Sequence, residues 1–212
     1  KALEEPIRQI ATNAGIDGSV VLEALLKADL PETSVVVVAD QESTDLAEKI
    51  GVGGEGLFHI GGFGKPGEFN QRIPVKATVL KLNPEPFAHL GPAQKGFISN
   101  PGMRALLKSG NVYIILCRRV CISHDRNMLL TMGLDPTKMD IISMRATHSF
   151  MSTYAGVYGS WIYVDTPGFS ARSMKDLPFR RCGRPIYPLD DIHELHIIDA
   201  LDGTVPPERA SA

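Results

Sequence analysis

The side chains best placed for chemistry lie in the last third of the chain. Residues 162–164 have the composition of a β-strand, and Asp165 and Thr166 follow them directly, before a Pro-Gly turn. A strand that ends in such a turn delivers its last polar groups to one place at a sheet edge. This pattern predicts a binding site at Asp165 and Thr166, with a purely turn-forming aspartate as the alternative.

A cluster of arginines follows this turn. Arg180, Arg181 and Arg184 lie between two prolines, and Asp190 and Asp191 come shortly after them. Arginine carries a planar fork of donors that suits carboxylates, such as the C-terminus of a peptide. The arginines could instead pair with the two aspartates and hold the chain end down, and the sequence favours this second interpretation.

The order Asp-Thr-Pro-Gly after an apolar strand is also typical of the switch motif of GTPases. A GTPase needs a glycine-rich phosphate loop that ends in a lysine and a hydroxyl residue. The nearest segment, residues 61–66, has Pro66 where the hydroxyl residue belongs. The sequence therefore gives little support to nucleotide hydrolysis.

The histidines do not form a recognisable metal-ligand pattern. His193 and His196 are three residues apart in a polar tail, and they lack the His-Glu-x-x-His arrangement of zinc peptidases. The other histidines are scattered along the chain, at His59, His89, His124 and His148. We therefore predict no metal site in this chain, and neither stoichiometric zinc nor peptidase activity of the chain alone.

Composition excludes several classes of protein. The 212 residues carry a formal net charge of −2, which gives no electrostatic reason to bind nucleic acid or an anionic membrane. The longest apolar runs, such as residues 112–117, are far shorter than the ~20 residues of a membrane-spanning helix. The cysteines, Cys117, Cys121 and Cys182, are sparse and odd in number, which predicts reduced structural thiols in a cytoplasmic protein.

The apolar periodicity predicts an α/β domain with a mixed β-sheet flanked by helices. Four consecutive valines in residues 34–39 are typical of a strand buried on both faces, and a helix over residues 43–50 follows. Gly110 and Asn111 predict a hairpin turn. Further strands are expected at residues 73–82, 103–108, 111–120, 138–147 and 161–165, and further helices at residues 2–10, 19–27 and 125–132.

The order of short motifs over residues 20–191 is similar to that of one known family. The motifs are Leu25-Leu26, the valine strand with Asp40, Val52-Gly53-Gly54, Arg118-Arg119-Val120, Gly133-Leu134-Asp135-Pro136, Ile141-Ile142, Phe150, Val164-Asp165-Thr166-Pro167-Gly168 and Arg184-Pro185-Ile186-Tyr187-Pro188-Leu189-Asp190. On these motifs the chain resembles the C-terminal domain of the MlrC-like zinc metallopeptidases, the family of microcystin-degradation protein C.

This resemblance implies part of an enzyme. In that family the zinc ligands, histidines and acids, lie mainly in a preceding N-terminal domain, so zinc belongs to the full-length proteins and not to this part. The present chain would close one side of the cleft and bind a peptide or amide substrate together with that domain. The substrate-binding residues that the resemblance implies are Arg145, His148, Asp165, Thr166, Arg181 and Arg184.

The chain departs from the family pattern near Arg145. The family carries a lysine and then a His-Phe pair, and here Arg145 matches the lysine while Ser149 and Phe150 match the pair. His148 is therefore displaced by one residue, and on a strand that shift turns a side chain to the other face. His148 would reach the cleft only from irregular backbone. We also expect Asp165 to anchor Arg145 or the arginine cluster.

Residues 1–21 resemble a different protein, a segment of the equatorial domain of chaperonin-60. The matching residues are Ala2-Leu3-Glu4-Glu5-Pro6-Ile7-Arg8-Gln9-Ile10-Ala11-Thr12-Asn13-Ala14-Gly15 and Gly18-Ser19-Val20-Val21. We interpret residues 1–19 as a helical arm that contributes little to the core. Residues 20–196 would then form a single MlrC-like domain, and residues 197–212 a flexible tail.

A function from another class remains open on the sequence alone. In this alternative the chain is a non-enzymatic binding or assembly module, whose arginines and exposed aromatic residues contact a protein partner. The sequence also leaves a homo-oligomer open.

Overall fold

The computed structural model describes residues 9–13, 19–61, 72–121, 123–146, 148–164, 179, 181–187 and 189–191. The chain divides into two compact units, residues 1–172 and residues 173–212. All the strands and helices given below belong to the first unit. None of the helices in the described ranges is long and apolar enough to cross a membrane.

The first unit contains ten described strands. In chain order they are β1 (Gln9–Asn13), β2 (Ser34–Ala39), β3 (Glu55–Ile60), β4 (Ile73–Asn83), β5 (Phe87–Ala88), β6 (Ile98–Ser99), β7 (Arg104–Ser109), β8 (Val112–Cys117), β9 (Ile141–Met144) and β10 (Ser160–Val164). Eight of them form one sheet in the order β10-β1-β9-β2-β8-β7-β4-β3, and β5 pairs with β6 separately.

The large sheet has a parallel part and an antiparallel part. The strands β10, β1, β9, β2 and β8 run parallel to their neighbours, whereas β7, β4 and β3 continue the sheet in antiparallel pairs. The hairpin between β7 and β8 turns at Gly110, whose φ is +56°, as the Gly-Asn pair predicts. The sheet is therefore mixed, and the predicted α/β architecture is confirmed.

Helices cover both faces of this sheet. They are α1 (Ser19–Ala28), α2 (Gln41–Ile50), α3 (Asn127–Thr131) and α4 (Ser149–Thr153). Leu22 of α1 and Ala47 of α2 join the apolar core that contains Val36, whereas Met128 of α3 and Phe150 of α4 join a second core that contains Val35. Successive residues of a strand point to opposite faces, so β2 is buried on both sides. This two-sided burial explains its run of valines.

The structure differs from the prediction near the N-terminus. Gln9 and Ile10, expected in a helix, begin β1, which lies between β9 and β10. The helical interpretation is wrong at these residues because pairing with two remote strands outweighs local helix propensity. Residues 1–8 and the predicted tail, residues 197–212, lie outside the described residues.

The position of β1 generates a stability prediction. Ala11 is paired with Ser143 on one side and Ile162 on the other, so Ala11→Pro removes a ladder donor inside the sheet. We expect a loss of ~3 kcal/mol, which lowers the thermal midpoint of a domain this size by roughly 6–12 °C. Ala11→Gly keeps the N–H and should cost no more than about 1 kcal/mol. Equal melting curves for the two variants would contradict a paired β1.

Candidate functional site

The carboxyl ends of the parallel strands meet at one edge of the sheet. The connection from β1 through α1 to β2 passes over β9, whereas the connection from β9 through α4 to β10 passes back over β1. These two connections leave adjacent strands in opposite directions. In open α/β sheets such a switch point forms a crevice outside the strand ends, where ligands bind. The candidate site therefore lies where β1 and β9 end.

Two predicted site residues lie next to this crevice. Arg145 follows the last residue of β9 and its side chain is exposed. His148 is also exposed and precedes α4, where its backbone carbonyl accepts a hydrogen bond from Met151 N at 3.0 Å. Its backbone is irregular, so the strand-face argument does not apply to it. Phe150, the second residue of α4, is fully buried and fixes the helix against the core.

The remaining predicted site residues lie outside the described residues or in the second unit. Asp165 and Thr166 lie outside the described residues, and so does the expected anchoring by Asp165. Arg181 is exposed and belongs to the second unit. Arg184, in the same unit, makes a two-pronged ion pair with Asp190, which agrees with the intramolecular pairing that the sequence favours.

This ion pair has clear electrostatic consequences. The hydrogen bond to Asp190 is the main cause that raises the pKa of Arg184, and the same bond lowers the pKa of Asp190. Asp190 also accepts a hydrogen bond from Ile186 N at 2.7 Å. Arg184 is exposed and Asp190 is only partly buried, so the pair shapes a local turn and contributes little stability.

Asp40 organises a polar cluster at the carboxyl end of β2. Its buried carboxylate accepts hydrogen bonds from Ser43 N at 2.9 Å, Ser43 Oγ at 2.9 Å and Gly61 N at 3.0 Å. Arg72 donates to both of its oxygens at 3.2 Å and also pairs with the exposed Glu42. The sequence predicts Asp40 only as a strand end. An aspartate directly before a helical segment is the signal that identifies it as the N-cap of α2.

A second polar cluster is buried under the small sheet. His89 Nε2 lies 2.7 Å from Ser99 Oγ, and His89 Nδ1 lies 3.9 Å from Asp125 Oδ2. These residue types match a Ser-His-Asp hydrolase triad, but their exposed fractions are 1%, 5% and 1% for His89, Ser99 and Asp125. A nucleophile buried in this way cannot meet a substrate, and 3.9 Å is too long for a hydrogen bond. The cluster is structural.

Asp125 shows what this cluster does. Its carboxylate accepts hydrogen bonds from Leu90 N at 3.0 Å, Gly91 N at 2.7 Å and Asn127 N at 2.8 Å. A Cβ atom at Gly91 would lie 2.1 Å from Thr153 Oγ1, so only glycine fits there. Asp125 therefore joins the β5–β6 connection to the start of α3. Sequence reasoning missed the cluster because its members are far apart in the chain.

The described residues do not supply a metal site. No group of three or more His, Cys, Asp or Glu side chains within them could hold a metal ion. Catalytic zinc needs three protein ligands in fixed geometry. The described part of the chain therefore does not fit a catalytic metal by itself.

Comparisons with known proteins place the chain among relatives. A family model described as MlrC C-terminus matches residues 14–181. The crystal structure of a protein from Mesorhizobium sp. BNC1, named "Putative metallopeptidase", matches with a TM-score of 0.73 at 23% sequence identity. The match covers 89% of this chain and 39% of that protein, so this chain spans well under half of the relative's length. At this identity the likeness establishes a shared fold.

The Asp40 cluster generates a paired prediction. Asp40→Asn should lower the free energy of unfolding by ~2–3 kcal/mol, because it removes the buried negative charge that faces Arg72. It also places an amide NH2 group against the donors that the carboxylate accepts from. Glu42→Gln is the matched control, since Glu42 pairs with the same arginine from an exposed position and should cost less than ~1 kcal/mol. Urea unfolding of both variants measures the difference. Equal losses would show that the buried acid has no special role.

A third prediction concerns pH. Burial, and then the neighbouring His89, lower the pKa of His124 below its usual 6.5, while Asp125 opposes them. The unfolded chain therefore binds more protons than the folded chain just below pH 6.5, and stability should fall as the pH drops through that window. His124→Gln should reduce this fall, measured as the urea midpoint at about pH 7.5 and about pH 5.5. If the urea midpoint changes between the two pH values by the same amount in His124→Gln and in the unsubstituted protein, the prediction is wrong.

Proposed function

The chain belongs to the MlrC C-terminus family, and from this premise we propose that it is the substrate-contacting part of a metal-dependent hydrolase of peptide or amide bonds. The observation that carries the proposal is the switch-point crevice, with Arg145 and His148 exposed beside it. Crevices of this kind are the usual ligand sites of open α/β sheets.

The chemistry of the crevice suits an anionic or carbonyl-bearing ligand. The guanidinium of Arg145 can donate two parallel hydrogen bonds to a carboxylate. His148 adds an imidazole that can donate or accept a hydrogen bond a few residues away. A peptide whose C-terminal carboxylate binds at Arg145 is therefore the ligand class that we propose. Asp165 and Thr166, which follow β10 in the sequence, remain part of this proposal.

The metal of such an enzyme would be held elsewhere. The described residues lack a ligand cluster, and the similar Mesorhizobium protein is much longer than this chain. We propose that the ligands come from a further domain of the full-length protein. The role of the present chain is then to bind and orient the substrate.

A second candidate function rests on the second unit. Tyr187 there is 78% exposed, Phe179 is 43% exposed, and Arg181 and Arg184 lie nearby in sequence. Exposed tyrosine and arginine side chains are typical of protein-binding surfaces. This favours a protein partner as the alternative.

The fourth prediction tests the ligand class. Two short peptides that differ only in a free or an amidated C-terminal carboxyl group are titrated into the chain and followed by NMR. The free acid should bind more tightly, and Arg145→Gln should weaken it by about tenfold or more, since a hydrogen bond to a charged group contributes roughly 1.5–3 kcal/mol. Arg126→Gln, at an exposed arginine beside α3, is the control and should leave binding unchanged.

Two further outcomes decide between the candidates. Equal affinity of the chain for the two peptides would contradict the carboxylate site and favour the partner-binding alternative. Equal affinity of the Arg145→Gln and Arg126→Gln variants for the free-acid peptide would do the same. Elemental analysis after dialysis against zinc should find less than stoichiometric metal, with no hydrolysis of either peptide. One tightly held zinc per chain would contradict ligands in a further domain.

A further inference from the structure

Two cysteines lie together at the end of β8. Cys117 is the last residue of the strand and is 1% exposed, and Cys121 is half-buried after a short turn. Both are free thiols, and their sulfur atoms are 4.0 Å apart. A disulfide has a sulfur–sulfur bond of about 2 Å, so a shift of roughly 2 Å would join them.

The backbone holds Cys117 in place and allows only Cys121 to make this shift. Cys117 is held in β8, which pairs with β2 and with β7. Arg118 N donates to Met103 O at 2.9 Å and Arg119 N donates to Pro101 O at 2.9 Å, so the start of the turn is also fixed. Cys121 lies outside every helix and strand. Its sulfur can therefore approach that of Cys117 without disturbing the sheet.

A buried cation lies near both sulfur atoms. Arg104 is fully buried, with hydrogen bonds to Glu85 O at 2.8 Å and Thr131 Oγ1 at 2.7 Å and its guanidinium carbon 5.0 Å from the centre of the Phe87 ring. Burial lowers its pKa. No carboxylate forms an ion pair with Arg104 within the described ranges. Its positive charge is therefore available to stabilise a thiolate.

The charge distribution selects Cys121 as the thiolate. Its hydrogen bond with the Cys117 thiol lowers the pKa of Cys121, burial opposes that shift, and the charges of Arg104 and Arg145 lower the pKa further. The same hydrogen bond and burial raise the pKa of Cys117. The more exposed sulfur is thus the more nucleophilic one, and the buried sulfur remains a protonated thiol beside it.

We propose that Cys117 and Cys121 form a reversible dithiol–disulfide pair that reacts with low-molecular-weight disulfides of the glutathione class. The Cys121 thiolate attacks one sulfur of glutathione disulfide and displaces one glutathione thiolate. The Cys117 thiol then loses its proton and attacks the Cys121 sulfur of this mixed disulfide. The second glutathione leaves as a thiolate. The protein loses two electrons and two protons, and the disulfide becomes two glutathione thiols. This inference is independent of the proposed hydrolase function.

The oxidised form would tie the turn after β8 to the end of that strand, two positions from β9 in the sheet. Arg145, which follows β9, is one of the cations that interact with Cys121. Disulfide formation removes a thiolate from beside Arg145, and so changes the charge at the edge where we place the ligand. The pair is therefore a modification site that interacts electrostatically with Arg145.

The fifth prediction is tested in a Cys182→Ser background, which leaves only the two paired thiols. The folded protein is equilibrated with glutathione disulfide, quenched in acid, alkylated under denaturing conditions and weighed by mass spectrometry. We expect both thiols to disappear, a mass decrease of two hydrogen atoms, and a peptide that links Cys117 to Cys121. Dithiothreitol should restore both thiols.

Single variants separate the two sulfur atoms. Cys117→Ala should leave a glutathione adduct on Cys121, because no second thiol resolves it, and Cys121→Ser should leave Cys117 unmodified. In the Cys182→Ser protein, which keeps both paired cysteines, two alkylated thiols would overturn the proposal. A persistent glutathione adduct on Cys121 in that same protein would also overturn it. If Cys117→Ala does not fold, the Cys121→Ser result and the Cys182→Ser mass still decide it.

Discussion

Burial of the central sheet on both faces is the constraint on which the rest of the molecule depends. Because helices and loops cover the two faces, β2 and β8 must be apolar on both sides along most of their length. Charged side chains cannot project from the middle of such strands without a large desolvation penalty. They are therefore confined to the strand ends. Asp40, Arg118 and Arg145 each follow a parallel strand directly.

Two buried carboxylates keep the loops at these ends in place. Asp40 accepts hydrogen bonds from backbone N–H groups at the start of α2 and at Gly61. Asp125 accepts them from residues 90–91 and from residue 127, two segments that are remote from each other in the sequence. A carboxylate has more acceptor sites than any neutral side chain, so one residue satisfies several donors that would otherwise be buried unpaired. Both acids act as fixed points between elements.

Local signals in the sequence predict much of this fold. The valine run, the Gly-Asn hairpin and the alternating pattern from Ile73 are properties of neighbouring residues, and the structure confirms them. The pairing of Arg184 with Asp190 is also a short-range contact within one turn. Such features need no knowledge of the tertiary fold.

The missed features all depend on contacts between distant residues. Nothing near Gln9 indicates that its partners are Ile141 and Ser160. His89 and Asp125 come together only because the small sheet packs near α3. The spacing of Cys117 and Cys121 is visible in the sequence, but the approach of their sulfur atoms depends on how the chain leaves β8. Sequence patterns report local preference, and these sites are set by topology.

The place of β1 in the sheet has a consequence for biosynthesis. Among the described strands it is synthesised first, yet its two partners, β9 and β10, are synthesised last. Until β9 and β10 are synthesised, the segment therefore has no native neighbour in the sheet. Closing so long a loop is slow, and an unpaired strand can associate with other chains in the meantime. The nascent chain should consequently depend on holding chaperones until β9 and β10 emerge, and products truncated before these strands should aggregate rather than fold.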